Sequence, residues 1–411
     1  MFKDKKVFLL VLVAALGYFV DIYDLLLFSI VRNASLTSIC VSKDQLLSTG
    51  AFLLNMQMGG MLIGGLLWGI LGDKKGRLSV LFGSIIMYSL ANIANGFVQD
   101  MNTYAVLRFI AGVGLAGELG AGVTLVAEVM SKESRGYGTM VVATIGVLGA
   151  VAANLIGDLT DWRHSYFIGG GLGILILALR FGVFESGMYK SIKEEKIDKG
   201  TFLKIFKNRE LLFTYLNCIL IGLPLWYVVG ILITFSPEFG KAFGLGTTIA
   251  AGKSVMYTYI GLAIGDFLSG YLSQIFKSRK KIIFWFLVGV AISIILYLFF
   301  NNVSPAFFYF ICVVLGISVG YWALFVTNAS EQFGTNIRST VTTTVPNFVR
   351  GSVIPLTISF QFLSALNISG KNVGIIYSAL ILGIITIIIA FLSLKKLKET
   401  FGKDLNYTDI F

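Results

Sequence analysis

Apolar runs of about 20 residues recur along this chain with short basic segments between them, and nothing else in the sequence limits its fold so strongly. A run of that length is what an α-helix needs to cross the hydrocarbon of a bilayer. The first extends from Val7 to Val31, behind Lys3, Lys5 and Lys6. It is too long for the apolar core of a signal peptide and has no small-residue cleavage site behind it, so it reads as a span. Further spans are expected at 47–71, 79–97, 104–127, 139–157, 166–184, 211–234, 248–275, 282–300, 305–327, 340–365 and 373–394, twelve in all. Composition agrees: 56% of residues are hydrophobic and 13% charged, whereas a soluble chain carries about 25% charged residues. The three cysteines, Cys40, Cys218 and Cys312, lie far apart, and there is a single histidine, His164. That pattern offers no disulfide framework, no metal-ligand spacing and little room for histidine catalysis.

The basic residues set the expected orientation. With both termini in the cytoplasm, most of the 33 Lys and Arg fall on the cytoplasmic side, as the bias of inner loops toward positive charge requires. They cluster at 74–77, 132–135, 180–209, 277–281 and after Lys395, while Arg32, Lys43, Arg163, Lys241, Lys253 and Lys371 remain outside. Basic loops against anionic headgroups explain the net charge of +11 without a nucleic-acid partner. The longest basic segment divides the chain into an N-terminal six-helix bundle, 1–184, a cytoplasmic linker, 185–210, and a C-terminal six-helix bundle, 211–411. The halves echo each other. Glu128 and Arg135 follow the fourth span, and Glu331 and Arg338 follow the tenth at the same separation. Two such halves around a mid-membrane site are a transporter pattern.

The fourth span is the densest in signals. Gly112, Ala116 and Gly120 form one small-residue line, and Gly114, Glu118 and Gly122 a neighbouring one. Small residues at that spacing let another helix approach closely within lipid. Arg108 near one end and Glu118 near the middle are charges at membrane depth, which normally face a cavity or a partner and serve a pathway.

At the loop after the second span the residues carry a family likeness. Gly69-Ile-Leu-Gly-Asp73-Lys-Lys-Gly76-Arg77 resembles the loop 2–3 signature of the major facilitator superfamily. Its later counterpart, Gly270 to Lys280, departs from it, with Gln274 at the position of the Asp and Lys277 at that of the Gly. The resemblance implies an all-α membrane protein of twelve transmembrane helices in two pseudo-symmetric six-helix bundles. It implies a latch or gating role for Gly69, Asp73, Gly76, Arg77, Glu128, Arg135, Glu331 and Arg338, and links Arg108 to proton coupling. Asp21-Ile-Tyr23-Asp24, Gly117-Glu118, Ala127-Glu128, Asp161-Trp162-Arg163, and Arg180 through Glu185-Ser186 are similar to the metabolite:proton symporter branch. Asn55-Met-Gln57 departs from that branch, which has an Arg-Pro pair in its second helix.

The candidate transport site is assembled from polar residues inside the spans. Asp21 and Asp24 lie three apart, on one helix face. Two carboxylates that close in a medium of low dielectric resist ionising together, so one is expected to carry a proton. Asp21, Asp24, Glu118 and Arg108 are therefore the proton-coupling candidates. Thr343, Asn347 and Arg350 share a face of the eleventh span. A guanidinium there suits a carboxylate or phosphate in bidentate fashion, or it neutralises an internal carboxylate. Arg350 and Asn347, with Tyr23, Asn55, Gln57, Asn154, Trp226, Tyr321 and Trp322, are the substrate-binding candidates. Asp266, two turns from the end of the eighth span, reads as a structural or gating residue.

No nucleophile–base pair, metal cluster or phosphate loop marks an enzyme. The expectation is a functional monomer in a prokaryotic inner (plasma) membrane that imports a small organic anion or zwitterionic metabolite by alternating access. No cofactor is expected, the proton gradient being the energy source. The alternatives are a proton-coupled exporter and a gradient-independent facilitator. Exporters of the superfamily carry a proline signature in the fifth helix that Gly146 to Gly157 lacks.

Overall fold

A computed structural model describes residues 5–75, 77–130, 135–184, 205–245, 249–299, 304–334, 337–368, 371–372 and 374–403. Helices dominate it. The first half contains α1 Lys5–Ser38, α2 Leu46–Lys75, α3 Arg77–Asn95, α4 Met101–Leu115, α5 Glu118–Val129, α6 Arg135–Val147, α7 Gly149–Leu159 and α8 Trp162–Phe184. The second contains α9 Arg209–Leu220, α10 Leu223–Tyr227, α11 Ser236–Ala242, α12 Ala251–Ile275, α13 Arg279–Phe299, α14 Pro305–Val319, α15 Trp322–Gln332, α16 Arg338–Gly351, α17 Val353–Ala365 and α18 Gly374–Lys396. A minimal antiparallel pairing, β1 Asn367–Ile368 with β2 Lys371–Asn372, precedes α18. Nine runs among the described residues are long and apolar enough to cross a bilayer. The other three expected spans are occupied by α3, α8 and α12.

Five expected spans are interrupted rather than continuous, and the interruptions have identifiable causes. The fourth breaks between α4 and α5, where the Trp68 indole donates to the Val113 carbonyl at 2.7 Å and takes it out of the helical ladder. The fifth breaks at Leu148, between Gly146 and Gly149. In the seventh, Pro224 and Pro237 cannot donate to the carbonyls of Leu220 and Ile233. The chain there passes through a π-turn, Val228–Ile233, in which Thr234 N–H reaches the Val229 carbonyl at 3.1 Å. The tenth breaks at Gly320 and Tyr321, between α14 and α15. The eleventh breaks at Ser352 between α16 and α17, because Pro355 has no N–H for the Gly351 carbonyl.

The tightest packing inside each half follows one glycine pattern. In the first half, Gly60 and Gly64 of α2 lie against the backbone of Phe109 and Val113, and Gly112 of α4 against the backbone at Gln57 and Met61. In the second, Gly261 and Gly265 of α12 lie against Val313 and Ile317, and Gly316 of α14 against Thr258 and Leu262. A Cβ at any of these would meet main chain, so the helices could not approach as they do. Between the halves, α2 and α5 pack on α16, and α1, α6 and α7 on α12. The two small-residue lines of the fourth span divide their work. Gly112 faces α2 and Gly120 faces Thr343 of α16, whereas Gly114 faces Tyr88 of α3.

One end of the molecule is basic. Lys280, Lys395 and Lys398 gather there, and Glu210 reaches Lys398 at 3.2 Å. Glu331 lies at the same end, 3.2 Å from Arg279, and accepts from the Thr400 hydroxyl at 2.7 Å. Arg338 donates to the carbonyls of Ser330 and Phe333 at 3.2 and 3.0 Å. The side chains of Asp73, Arg77, Glu128 and Arg135, the whole of Gly76 and most of the expected linker (185–204) lie outside the described residues.

Candidate functional site

At mid-depth, where the halves meet, Arg350 of α16 lies between two indoles. Its guanidinium carbon is 5.8 Å from the Trp226 ring and 5.7 Å from the Trp322 ring. The side chain is 1% exposed, and its Nη2 stands 3.7 Å from Asp21 Oδ2 on α1. Nη1 donates to Asn347 Oδ1 at 3.4 Å. Neither Nε nor Nη2 of Arg350, nor either oxygen of Asp21, makes a hydrogen bond. The ion pair is thus loose, and part of the guanidinium fork is uncommitted. A small cavity opens beside it, lined by Arg350, Trp226, Trp322, Tyr18 and Tyr259 with aliphatic walls. Its free space is about 10 Å³, room for about one water. A metabolite therefore enters only when the halves move apart.

The site is held by bonds that cross between the halves. Trp322 Nε1 donates to the Tyr18 hydroxyl at 3.1 Å. Asn347 Nδ2 donates to the Ala116 carbonyl at 2.8 Å, one of the groups released by the break between α4 and α5. Thr357 donates to Asn55 Oδ1 at 2.8 Å. Within the second half, Asp266, fully buried in α12, accepts the Ala323 N–H at 2.9 Å and so anchors the first turn of α15 that carries Trp322.

The sequence candidates separate into three groups. Arg350, Trp226 and Trp322 line the cavity, and Asn347 and Asp21 adjoin Arg350 behind it. A second group is built inside the first half. Arg108 is fully buried, binds Gln57 Oε1 closely and donates to the Tyr166 hydroxyl at 3.4 Å, with Phe28 at 5.2 Å. Asp24 is fully buried with its Oδ1 against Gly169 of α8, and neither of its oxygens makes a hydrogen bond. Asp21 turns to Arg350 and Asp24 to α8, although they share a helix face. Glu118 lies elsewhere, in a buried two-pronged ion pair with Arg180 whose longer arm is 3.1 Å.

The remaining candidates point away from the cavity. The Tyr23 hydroxyl donates to the Ser165 carbonyl at 2.9 Å, holding α8 on α1. Tyr321 is turned toward α9, donating to the Ile221 carbonyl at 2.9 Å, because the break at Gly320 rotates neighbouring residues to opposite sides. Asn154 sits at the middle of α7, 3.3 Å from Asp158 Oδ2 and 3.5 Å from Met256 Sδ of α12.

Two arginines need correction. Arg180, counted with the cytoplasmic loop charges, is 1% exposed inside the first half, and Gly17 lies over its ion pair where a Cβ would collide. Its place inside the apolar run 166–184 was the available signal. Arg32, counted with the outer loops, is likewise 1% exposed. It stands one residue beyond an apolar run, so only tertiary contacts reveal its burial. Tyr18, Tyr259 and Trp68 carried no sequence signal that separates them from other span aromatics.

Paired glycine-packed helices in both halves, broken helices at mid-depth and a buried charged site between the halves define a transporter of the major facilitator kind. A profile of the Major Facilitator Superfamily matches residues 7–356, and the chain belongs to that family. It is 24% identical over 385 residues to the sialic acid transporter NanX of Escherichia coli, covering 90% of this chain and 91% of the relative. It is 26% identical over 403 residues to the putative niacin/nicotinamide transporter NiaP of Bacillus subtilis, covering 94% and 96%. The fold matches a structure of the proton:xylose symporter XylE with a TM-score of 0.70 at 17% identity, over 97% of this chain and 98% of that one.

Proposed function

We propose that the protein imports a small organic anion together with a proton, by alternating access to the site at Arg350. The observation that carries this reading is the uncommitted guanidinium between Trp226 and Trp322, loosely balanced by Asp21. A carboxylate matches the guanidinium fork, and the flanking indoles suit a compact, planar body. The niacin/nicotinamide name of one relative supports that chemistry.

Coupling follows from competition. Ionised Asp21 neutralises Arg350 when the site is empty. A proton on Asp21 leaves the guanidinium to the substrate carboxylate, so proton and anion bind together with little net change of buried charge. Asp24, buried against α8 with neither oxygen hydrogen-bonded, is the second candidate to hold a proton. We further propose that residues 1–184 and 211–411 are the rocking units joined by 185–210, that both termini face the cytoplasm of a bacterial inner membrane, and that the monomer is the working unit.

The test is uptake into proteoliposomes of labelled aromatic monocarboxylates, dicarboxylates, acidic sugars, neutral sugars and amino acids, with and without an inward proton gradient. Gradient-driven entry of organic anions is expected. Asp21→Asn is expected to abolish the dependence on the gradient while keeping exchange of substrate for substrate. Arg350→Gln is expected to lose both. Entry that ignores the gradient in the intact protein makes it a facilitator, and gradient-driven loss of preloaded substrate makes it an exporter.

A further inference from the structure

At the end opposite the basic loops, Arg32 on the last turns of α1 bridges the halves. Its Nη2 is 2.6 Å from Glu238 Oε1 on α11, and its guanidinium lies 4.7 Å from the Phe235 ring. One turn earlier on α1, Ser29 meets Thr234 at 3.3 Å. Gly50 of α2 leaves the room that the side-chain stem fills. Nε and Nη1 of Arg32 are buried without hydrogen-bond partners, and so is Glu238 Oε2. The guanidinium fork therefore donates to one oxygen of Glu238 where it has geometry for two.

Access from this end requires the contact to part, because Arg32 and Glu238 belong to different halves. Once parted, Arg32 faces the opened end as a cation released from its anion, with a guanidinium fork that fits another carboxylate. It stands eleven residues from Asp21 on the same helix, about 16 Å along the axis, on the way to Arg350.

We propose that Arg32 is an entry station for the carboxylate of the incoming substrate, occupied by Glu238 while that end is closed. The proposal rests on the organic-anion reading above. Glu238 acts as the placeholder that the substrate replaces, so the two residues have opposite effects on substrate affinity. A pair that served only to hold the end shut would give like effects, since removing either partner would loosen the same contact.

The experiment measures initial uptake rates from the Arg32 side and from the opposite, basic side, using right-side-out and inside-out vesicles with the transported organic anion. Arg32→Gln is expected to raise KM from the Arg32 side roughly tenfold, the size of one lost charge-assisted contact, and to leave KM from the other side unchanged. That second value also shows that the variant is folded. Arg32→Lys is expected to retain part of the affinity. Glu238→Gln is expected to lower KM from the Arg32 side. Shifts of the same sign in Arg32→Gln and Glu238→Gln, or no shift in Arg32→Gln, overturn the proposal. If the unaltered protein moves no organic anion, the functional reading has failed first, and the entry station falls with it.

Discussion

Arg180 and Glu118 show how one residue's meaning depends on its partner. Each is 1% exposed, and each satisfies the other's charge within the first half. Removing one partner leaves an uncompensated buried charge, which costs about 3–5 kcal/mol. Arg180→Ala and Glu118→Ala are each expected to lower the midpoint of thermal unfolding in detergent sharply. The double variant is expected to recover part of that loss, and a strictly additive double variant would show that the pair is not coupled. Gly17→Val presses on the same pair and is expected to resemble the single variants. Asp21 is different. Its pair with Arg350 is open at 3.7 Å and shares no direct hydrogen bond, so Asp21→Asn is expected to leave folding near normal and to alter coupling instead.

The breaks matter most at the level of helices. Asp266 accepts the Ala323 N–H at the start of α15 and fixes the turn that presents Trp322 beside Arg350. Replacing such a cap by Ala costs about 0.5–2 kcal/mol. Asp266→Ala is expected to raise the substrate KM through a displaced Trp322, with a modest loss of thermal stability. Asp266→Asn, which keeps the accepting oxygen, is expected to behave nearly as the unaltered protein. The glycine contacts are less tolerant. At Gly112 and Gly316 an added side chain would meet backbone rather than a movable side chain. Overpacking of that kind costs about 1–3 kcal/mol or more, so Gly112→Val and Gly316→Val are expected to sharply reduce the folded yield in the membrane.

For the whole molecule, the halves touch at both ends and at the centre. Gly65 and Gly69 of α2 admit Asn347, Thr340 and Thr344 of α16 toward the basic end, and Arg32 and Ser29 meet Glu238 and Thr234 at the other. The cavity at Arg350 has room for about one water, so transport needs one end to part while the other holds. A disulfide between Ser29→Cys and Thr234→Cys is expected to block uptake, and reductant is expected to restore it. Undiminished transport by the cross-linked protein would show that this end does not open.

The sequence by itself determined the solvent, the helical architecture and the family, because spans of about 20 apolar residues leave few alternatives and the glycines and loop signature lie at fixed local spacings. It also placed Arg350, Asn347 and Asp21 among the candidates, since a charge or amide inside a span is conspicuous. Only the tertiary structure decided the pairing. It gave Asp21 to Arg350 and set Asp24 against Gly169 of α8, tied Glu118 to Arg180, and sent the Tyr321 hydroxyl to the end of α9. It also drew Arg32 out of an expected loop and into the contact between the halves. These choices depend on which helices face each other and where Trp68, Pro355 and Gly320 break them. Such contacts join distant residues, as in Tyr18 with Trp322, 304 positions apart, and no local spacing encodes them.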